Sequence, residues 1–164
     1  MKNIPIATTR FNTDTWSQNQ EFRIKNNLKG CVYGAPRQIS PRVSLNSLLF
    51  VIEMNNSTNK VEGISLIKNF IQVDKQYPIY QAKNYNRYIY KSEYRICRDV
   101  VESYNSQIIH NLDHILFKEK THLKRGSGFT LIPNKLLNHS ICRDVNMVEE
   151  LRGLFQHVYL ERIE

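Results

Sequence analysis

Leu48-Leu49-Phe50-Val51-Ile52-Glu53-Met54, then Asn55-Asn56-Ser57-Thr58-Asn59-Lys60, then Val61-Glu62-Gly63-Ile64-Ser65-Leu66-Ile67-Lys68 is the stretch on which the fold turns. Two apolar runs of strand length joined by a short polar connection predict an antiparallel hairpin of strands 48–54 and 61–68, inside a mixed, curved sheet. Twenty residues on comes Arg87-Tyr88-Ile89-Tyr90-Lys91-Ser92-Glu93-Tyr94-Arg95-Ile96. Its even positions carry three tyrosines and an isoleucine, and four of its five odd positions carry charge. Period two predicts one strand with an aromatic face and a charged face.

Outward from this centre, residues 1–12 read as extended, with Pro5 excluding an early helix interior. Asp14 is the expected cap of a short helix through Trp16, Gln20 and Phe22 towards Ile24, closed by a turn at Asn26 to Gly30. A short strand around Val32-Tyr33 leads into a loop, Gly34 to Leu45, whose glycine and prolines permit close approach to a ligand. Tyr77-Pro78-Ile79-Tyr80 is extended because proline restricts the residue before it. Tyr104, Ile108, Leu112 and Ile115 share a helical face, predicting a helix at about 100–118. Val148, Leu151, Phe155 and Val158 predict another at about 145–161. Between them, residues 122–133 return to loop and strand. Ile-Cys-Arg-Asp-Val occurs twice, at 96–100 and 141–145; its flanks do not align, so it reads as coincidence or as two similar helix starts with Asp99 and Asp144 near the caps. The fold class is therefore α+β, a small mixed, curved sheet or barrel with flanking helices.

A chain of 164 residues is most simply one domain, 1–164, able to bury a core without disulfide or metal. Lys and Arg number 23 against 15 Asp and Glu, a formal net charge of +8 with no block of consecutive cations, which suits a charged face. Such a face beside tyrosines fits nucleic acid, RNA or single-stranded DNA; the alternative is that basicity only keeps the protein soluble. Cys31, Cys97 and Cys142 are odd in number and form no C-x-x-C pair, so a reducing, intracellular compartment is expected: cytoplasm, nucleus, viral factory or virion. No signal-peptide h-region and no run of about 18 apolar residues is present, so no membrane partner is expected.

The tryptophan-bearing helix, the Gly-containing segment and the strand Val61-Glu62-Gly63-Ile64-Ser65-Leu66-Ile67 after an apolar strand and polar turn together resemble the PUA-like superfamily, nearest to EVE and YTH-type domains. The resemblance covers about residues 14–96, with a helical and loop extension over about 97–164. It implies a small mixed barrel that binds RNA or modified DNA bases. YTH domains hold a methylated adenine in an aromatic cage that usually has more than one tryptophan, whereas Trp16 is the only one here; a cage in this chain would need Tyr33 or strand tyrosines. The chain, through Tyr85-Asn86-Arg87-Tyr88 and Leu123-Lys124-Arg125-Gly126-Ser127-Gly128-Phe129-Thr130, is also similar to small proteins of large DNA viruses.

The candidate binding residues follow. Tyr85, Tyr88, Tyr90 and Tyr94 with Arg87, Lys91 and Arg95 offer rings for bases and cations for phosphates, or else the tyrosine face packs on the helix at 100–118. Lys124-Arg125 before Gly126-Ser127-Gly128 offers an anion nest or a plain surface turn. Trp16, Tyr33 and Arg37, with the Gly34 to Leu45 segment, are candidates for the rim of a base-sized pocket; the alternative is that Trp16 plugs one end of the barrel. His110 and His114 have ligand spacing, with Asp113 and His122 nearby, but lack the zinc-protease glutamate and read as exposed or capping. Glu53 and Glu62, with Lys68, faintly suggest a metal nuclease without the diagnostic aspartate. Cys31 reads as a buried small residue. The leading expectation is a non-enzymatic nucleic-acid-binding domain, with no catalytic residue, metal or cofactor. The rivals are a structural or assembly protein with a tyrosine-rich protein interface, and a small nuclease or base-processing enzyme.

Overall fold

The apolar hairpin forms as expected and becomes the centre of the molecule. In the computed structural model, which describes residues 3–118, 120 and 123–160, strand β3 (Leu48–Asn55) pairs antiparallel with β4 (Lys60–Lys68), Phe50 opposite Leu66 and Ile52 opposite Ile64. On its other side β3 pairs in parallel with β1 (Ile6–Phe11), Ile6 aligned with Phe50. The short strands β6 (Tyr94–Cys97) and β7 (Thr130–Leu131) close the two edges, giving the order β6-β4-β3-β1-β7. A separate pair, β2 (Cys31–Ala35) and β5 (Tyr88–Ser92), runs antiparallel with Tyr33 opposite Tyr90.

Both faces of the five-stranded sheet are covered, which explains why β3 is apolar at nearly every position rather than at alternate ones. Phe50, Ile52 and Met54 point with Ile64 and Ile96 into a core shared with the helices α2 (Arg98–Tyr104), α3 (Ser106–Asp113), α4 (Asn134–Leu137) and α5 (Met147–Phe155). Leu49 and Val51 point the other way, into a second core with Val32, Tyr33, Ile89 and Tyr90 of the two-stranded sheet, against which Trp16 and Phe22 of α1 (Thr13–Lys25) pack. The helical layer is tied to the sheet by Arg98, which donates to the Val61 carbonyl and pairs with Asp113 at 2.8 Å, while Asp113 accepts the Val61 N–H.

The class is therefore mixed α+β, as expected, but the sheet is not a closed barrel: β6 and β7 end it. The strand expected over 87–96 is two strands in two sheets, β5 on β2 and β6 on β4. The chain changes layer at Ser92, whose hydroxyl donates to the Leu66 carbonyl at 2.7 Å and accepts the Tyr94 N–H at 3.0 Å. The helix expected over 100–118 breaks at Asn105, an extended residue whose side chain caps α3 by accepting from the Gln107 N–H; a short polar side chain that satisfies backbone locally competes with helix continuation. α3 then runs on as a π-helical turn, His114–Lys118, and α5 likewise over Gln156–Leu160. The cap of α1 is Asn12 rather than Asp14, in a reciprocal capping box with Thr15. The two copies of Ile-Cys-Arg-Asp-Val differ in structure: the first joins β6 to α2, and the second passes through the 3-10 turn Ser140–Cys142. Among the described residues no helix is long and apolar enough to cross a membrane.

Candidate nucleic-acid interface

Where β1 runs into α1, three loops meet and leave a cavity of about 220 Å³. Its walls are Arg10, Phe11, Asn12 and Thr15 from the β1–α1 junction, Gly34 from β2, Asn56 from the hairpin turn, Tyr80 and Tyr85, and the loop Gly126 to Gly128. The volume lies below the roughly 300–1,000 Å³ of pockets for drug-sized ligands, so it suits one ring system rather than a whole dinucleotide.

Tyr80 and Tyr85 form the aromatic wall, edge to face with centroids 6.5 Å apart. Asn86 holds them in register by accepting the Tyr80 N–H and donating back to the Tyr80 carbonyl. Tyr80 is buried and anchored through its hydroxyl to Asn19, while Tyr85 is 39% exposed at the mouth. Gly34 is required here, because a Cβ would lie 2.4 Å from the Tyr85 carbonyl oxygen. On the opposite wall, Asn56 donates Nδ2 to the Lys124 carbonyl at 2.7 Å, which fixes the orientation of its amide; its Oδ1 is buried and has no partner among the described residues. Leaving such an acceptor buried and unpaired is costly, and the fold carries that cost beside the cavity.

Positive charge surrounds this cavity. Arg10, half-buried, donates to the carbonyls of Leu123, Gly126 and Gly128 and to the Thr130 hydroxyl. Arg37 donates to the Ser127 carbonyl and hydroxyl. Burial and the neighbouring Arg37 charge both push the Arg10 guanidinium below its ordinary pKa. Among the described residues, neither of them nor the exposed Arg125 has a carboxylate within ion-pair distance.

The structure thus brings together Arg37, Tyr85, Lys124 and Arg125 of the residues anticipated from sequence, and separates the rest. Tyr33 is 1% exposed, its ring against Phe11 and Phe129, and its hydroxyl reaches Glu53 at 2.6 Å and Ser65 at 2.7 Å. It supports the layer from inside and offers no face to a base. Arg95, also expected at the surface, turns inward: its side chain is 12% exposed and forms a two-point ion pair with Glu53. Burial alone would raise the Glu53 pKa, but Arg95 and the Tyr33 hydroxyl hold this carboxyl below the usual carboxylate range. Trp16 does not line the cavity; it packs edge-on against Phe11, with the Arg23 and Arg95 guanidinium carbons each 5.6 Å from its ring. Arg87 and Tyr88 form a cation–π pair at 5.2 Å, and Lys91 sits 5.3 Å from the Tyr77 ring. Tyr90 is buried with its hydroxyl accepting the Ile39 N–H, and Tyr94 lies on the other sheet against Tyr159. One charged face running from Arg87 through Lys91 to Arg95 therefore does not form.

Other groups with chemical potential are committed elsewhere. Burial pushes the Cys31 thiol up to about 11, which suppresses its thiolate. Glu62 accepts from Asn55, and Glu53 is held by Arg95, so the two carboxylates do not act as a pair. Asp113 is bound to Arg98; His114 lies tilted against His139, centroids 5.4 Å apart; His122 lies outside the described residues. Among the described residues no three His, Cys, Asp or Glu side chains gather as a metal site. A larger open cleft of about 1030 Å³ between residues 3–6, 42–48 and 131–137 has no aromatic lining residue.

Arg10, Tyr80 and Asn56 were missed by the sequence reading. Arg10 alone left a signal: it is the one charge in β1, Ile6-Ala7-Thr8-Thr9-Arg10-Phe11, a strand otherwise apolar or hydroxylic. No family model matches the chain, and neither a curated protein nor a solved structure matches it.

Proposed function

We propose that this protein binds single-stranded nucleic acid, RNA or DNA, through the cavity at the β1–α1 junction, and that it does so as a binding domain without chemistry of its own. One base enters between the Tyr80/Tyr85 wall and Asn56, and the strand runs past Arg37 and Arg125. The observation that carries this reading is the uncompensated pair Arg10 and Arg37 beside an aromatic wall. Cations hold phosphates, and stacking on an aromatic side chain contributes about 1–3 kcal/mol per base. The PUA-like reading is kept as part of this proposal for the β1-α1-β2-β3-β4 succession, with an open sheet in place of a barrel. The committed states of Cys31 and Glu53 favour binding over catalysis.

Fluorescence anisotropy with short labelled single strands tests the reading. Tyr85→Ala and Arg37→Gln each weaken binding about tenfold, whereas Arg143→Ala, in the helical layer and outside the cavity lining, changes it less than about twofold. Equal losses at all three positions would show diffuse attraction and no site. A second reading, a protein partner, draws on the groove where Leu48, Phe70 and Tyr94 stand 41%, 53% and 46% exposed. Phe70→Asp would then abolish partner binding and leave oligonucleotide affinity intact; loss of the latter would contradict two separate surfaces.

A further inference from the structure

The loop from Leu123 to Phe129 has an unusual division of its backbone groups. Arg10 of β1 takes the carbonyls of Leu123, Gly126 and Gly128 at 3.0, 3.2 and 3.2 Å. Asn56 of the hairpin turn takes that of Lys124 at 2.7 Å, and Arg37 that of Ser127 at 2.9 Å. Five carbonyls are thus held by side chains from three distant parts of the chain. In a trans peptide the N–H points opposite to the C=O, and the described residues contain no cis bond. The N–H groups of Ser127 and Phe129 are therefore turned away from Arg10, that of Gly128 away from Arg37, and that of Arg125 away from Asn56. Among the described residues, none of the N–H groups of Arg125 to Phe129 donates to the protein. Gly126 and Gly128 adopt φ of +97° and +76°, the left-handed region that lets successive N–H groups converge. A plain surface turn needs no such fixation of its carbonyls.

Charge points the same way. Arg37 and Arg125 flank the loop and Arg10 lies beneath it, with no carboxylate in ion-pair contact with any of them among the described residues. Arg10 and Arg37 repel one another at their present spacing, and an anion seated on the loop relieves that repulsion.

We propose that residues 125–129 form a phosphate cradle, in which backbone N–H groups bind the phosphate oxygens, Arg37 and Arg125 supply charge, and Arg10 is a positioning residue that holds the loop from behind. This rests on the proposed function in one respect: Gly126 to Gly128 also line the base cavity, so the phosphate is taken to be that of the nucleotide whose base enters there. Binding through backbone N–H groups is indifferent to sequence, and it adds a fixed anchor beside the base-reading cavity.

Amide ¹H–¹⁵N spectra of the full chain test this with four probes: inorganic phosphate, a nucleoside, its 5′-monophosphate and a short single strand. Inorganic phosphate and the monophosphate are expected to move the resonances of 125–129 saturably, and the monophosphate to bind more tightly than the nucleoside, whose base reaches the same cavity without a phosphate. Arg10→Lys keeps the charge but loses the three-carbonyl grip, and should weaken phosphate about tenfold with the fold preserved. If that variant does not fold, the wild-type titration decides alone. Loop resonances unmoved by phosphate, or equal phosphate affinity in Arg10→Lys, overturn the cradle. A strand that binds without moving these resonances overturns the cradle and leaves the nucleic-acid reading standing. Phosphate that moves them while no strand binds supports the cradle and removes nucleic acid as its source.

Discussion

Arg95 grips Glu53 at two points, Nη2 to Oε1 at 2.7 Å and Nε to Oε2 at 2.9 Å, between two sheets where the Glu53 side chain is 2% exposed. The Tyr33 hydroxyl adds a third bond at 2.6 Å. Removing one partner of a buried ion pair strands the other charge and costs about 3–5 kcal/mol, so Glu53→Gln and Arg95→Ala should each lower stability to urea by that amount. The Glu53 pKa is depressed in the fold, so its contribution is complete above the ordinary carboxyl range and lost as pH falls through the folded value. Urea midpoints measured from about pH 7 down to about pH 3 should fall steeply in the wild type and less so in Glu53→Gln. Identical acid limbs would show that the pair does not carry the pH dependence.

Trp16 stands outside the cavity, with its ring engaged by Phe11, Arg23 and Arg95. Trp16→Phe keeps a flat ring for this packing but weakens the cation–π contacts, each worth about 0.5–1 kcal/mol at partly exposed sites. A small loss of stability and oligonucleotide affinity within about twofold of wild type are expected. A tenfold loss of affinity with the fold intact would put Trp16 in contact with the strand.

Asn111 on α3 is 0% exposed, and among the described residues neither its Oδ1 nor its Nδ2 has a hydrogen-bond partner. An unsatisfied buried polar group costs about 1–3 kcal/mol. Asn111→Leu, nearly the same shape, should recover part of this and raise the urea midpoint with little change in slope. A lower midpoint would mean that Asn111 has a bound partner which leucine cannot replace.

The hairpin was legible because its apolar runs are long and its turn is polar, and α1 and α5 were legible from helical spacing, although their caps are Asn12 and Asn146 rather than the anticipated aspartates. The split of 87–96 was not, since period two is the same whether a strand stays in one sheet or crosses to another; Ser92, which pins the crossing, looks like any polar residue in sequence. The break at Asn105 was hidden because its apolar neighbours keep helical spacing on both sides. At the site, Arg37, Tyr85 and the Lys124 to Gly128 loop were readable from charge, ring and glycine. Arg10 and Asn56 were not, because they act on carbonyls of a loop more than 60 residues away, and Arg95 misled because its carboxylate partner lies 42 residues upstream.

The salt dependence of single-strand binding separates a phosphate-holding site from diffuse attraction. Wild-type protein should bind short RNA or DNA saturably, with log affinity falling against log salt at a slope of about −0.7 for each phosphate neutralised. Arg37→Gln should make that slope shallower by about one phosphate's share, and Tyr85→Ala should weaken binding at every salt concentration with the slope unchanged. Absence of saturable binding at low salt, or binding indifferent to both substitutions, would rule out a single-strand site at the β1–α1 junction.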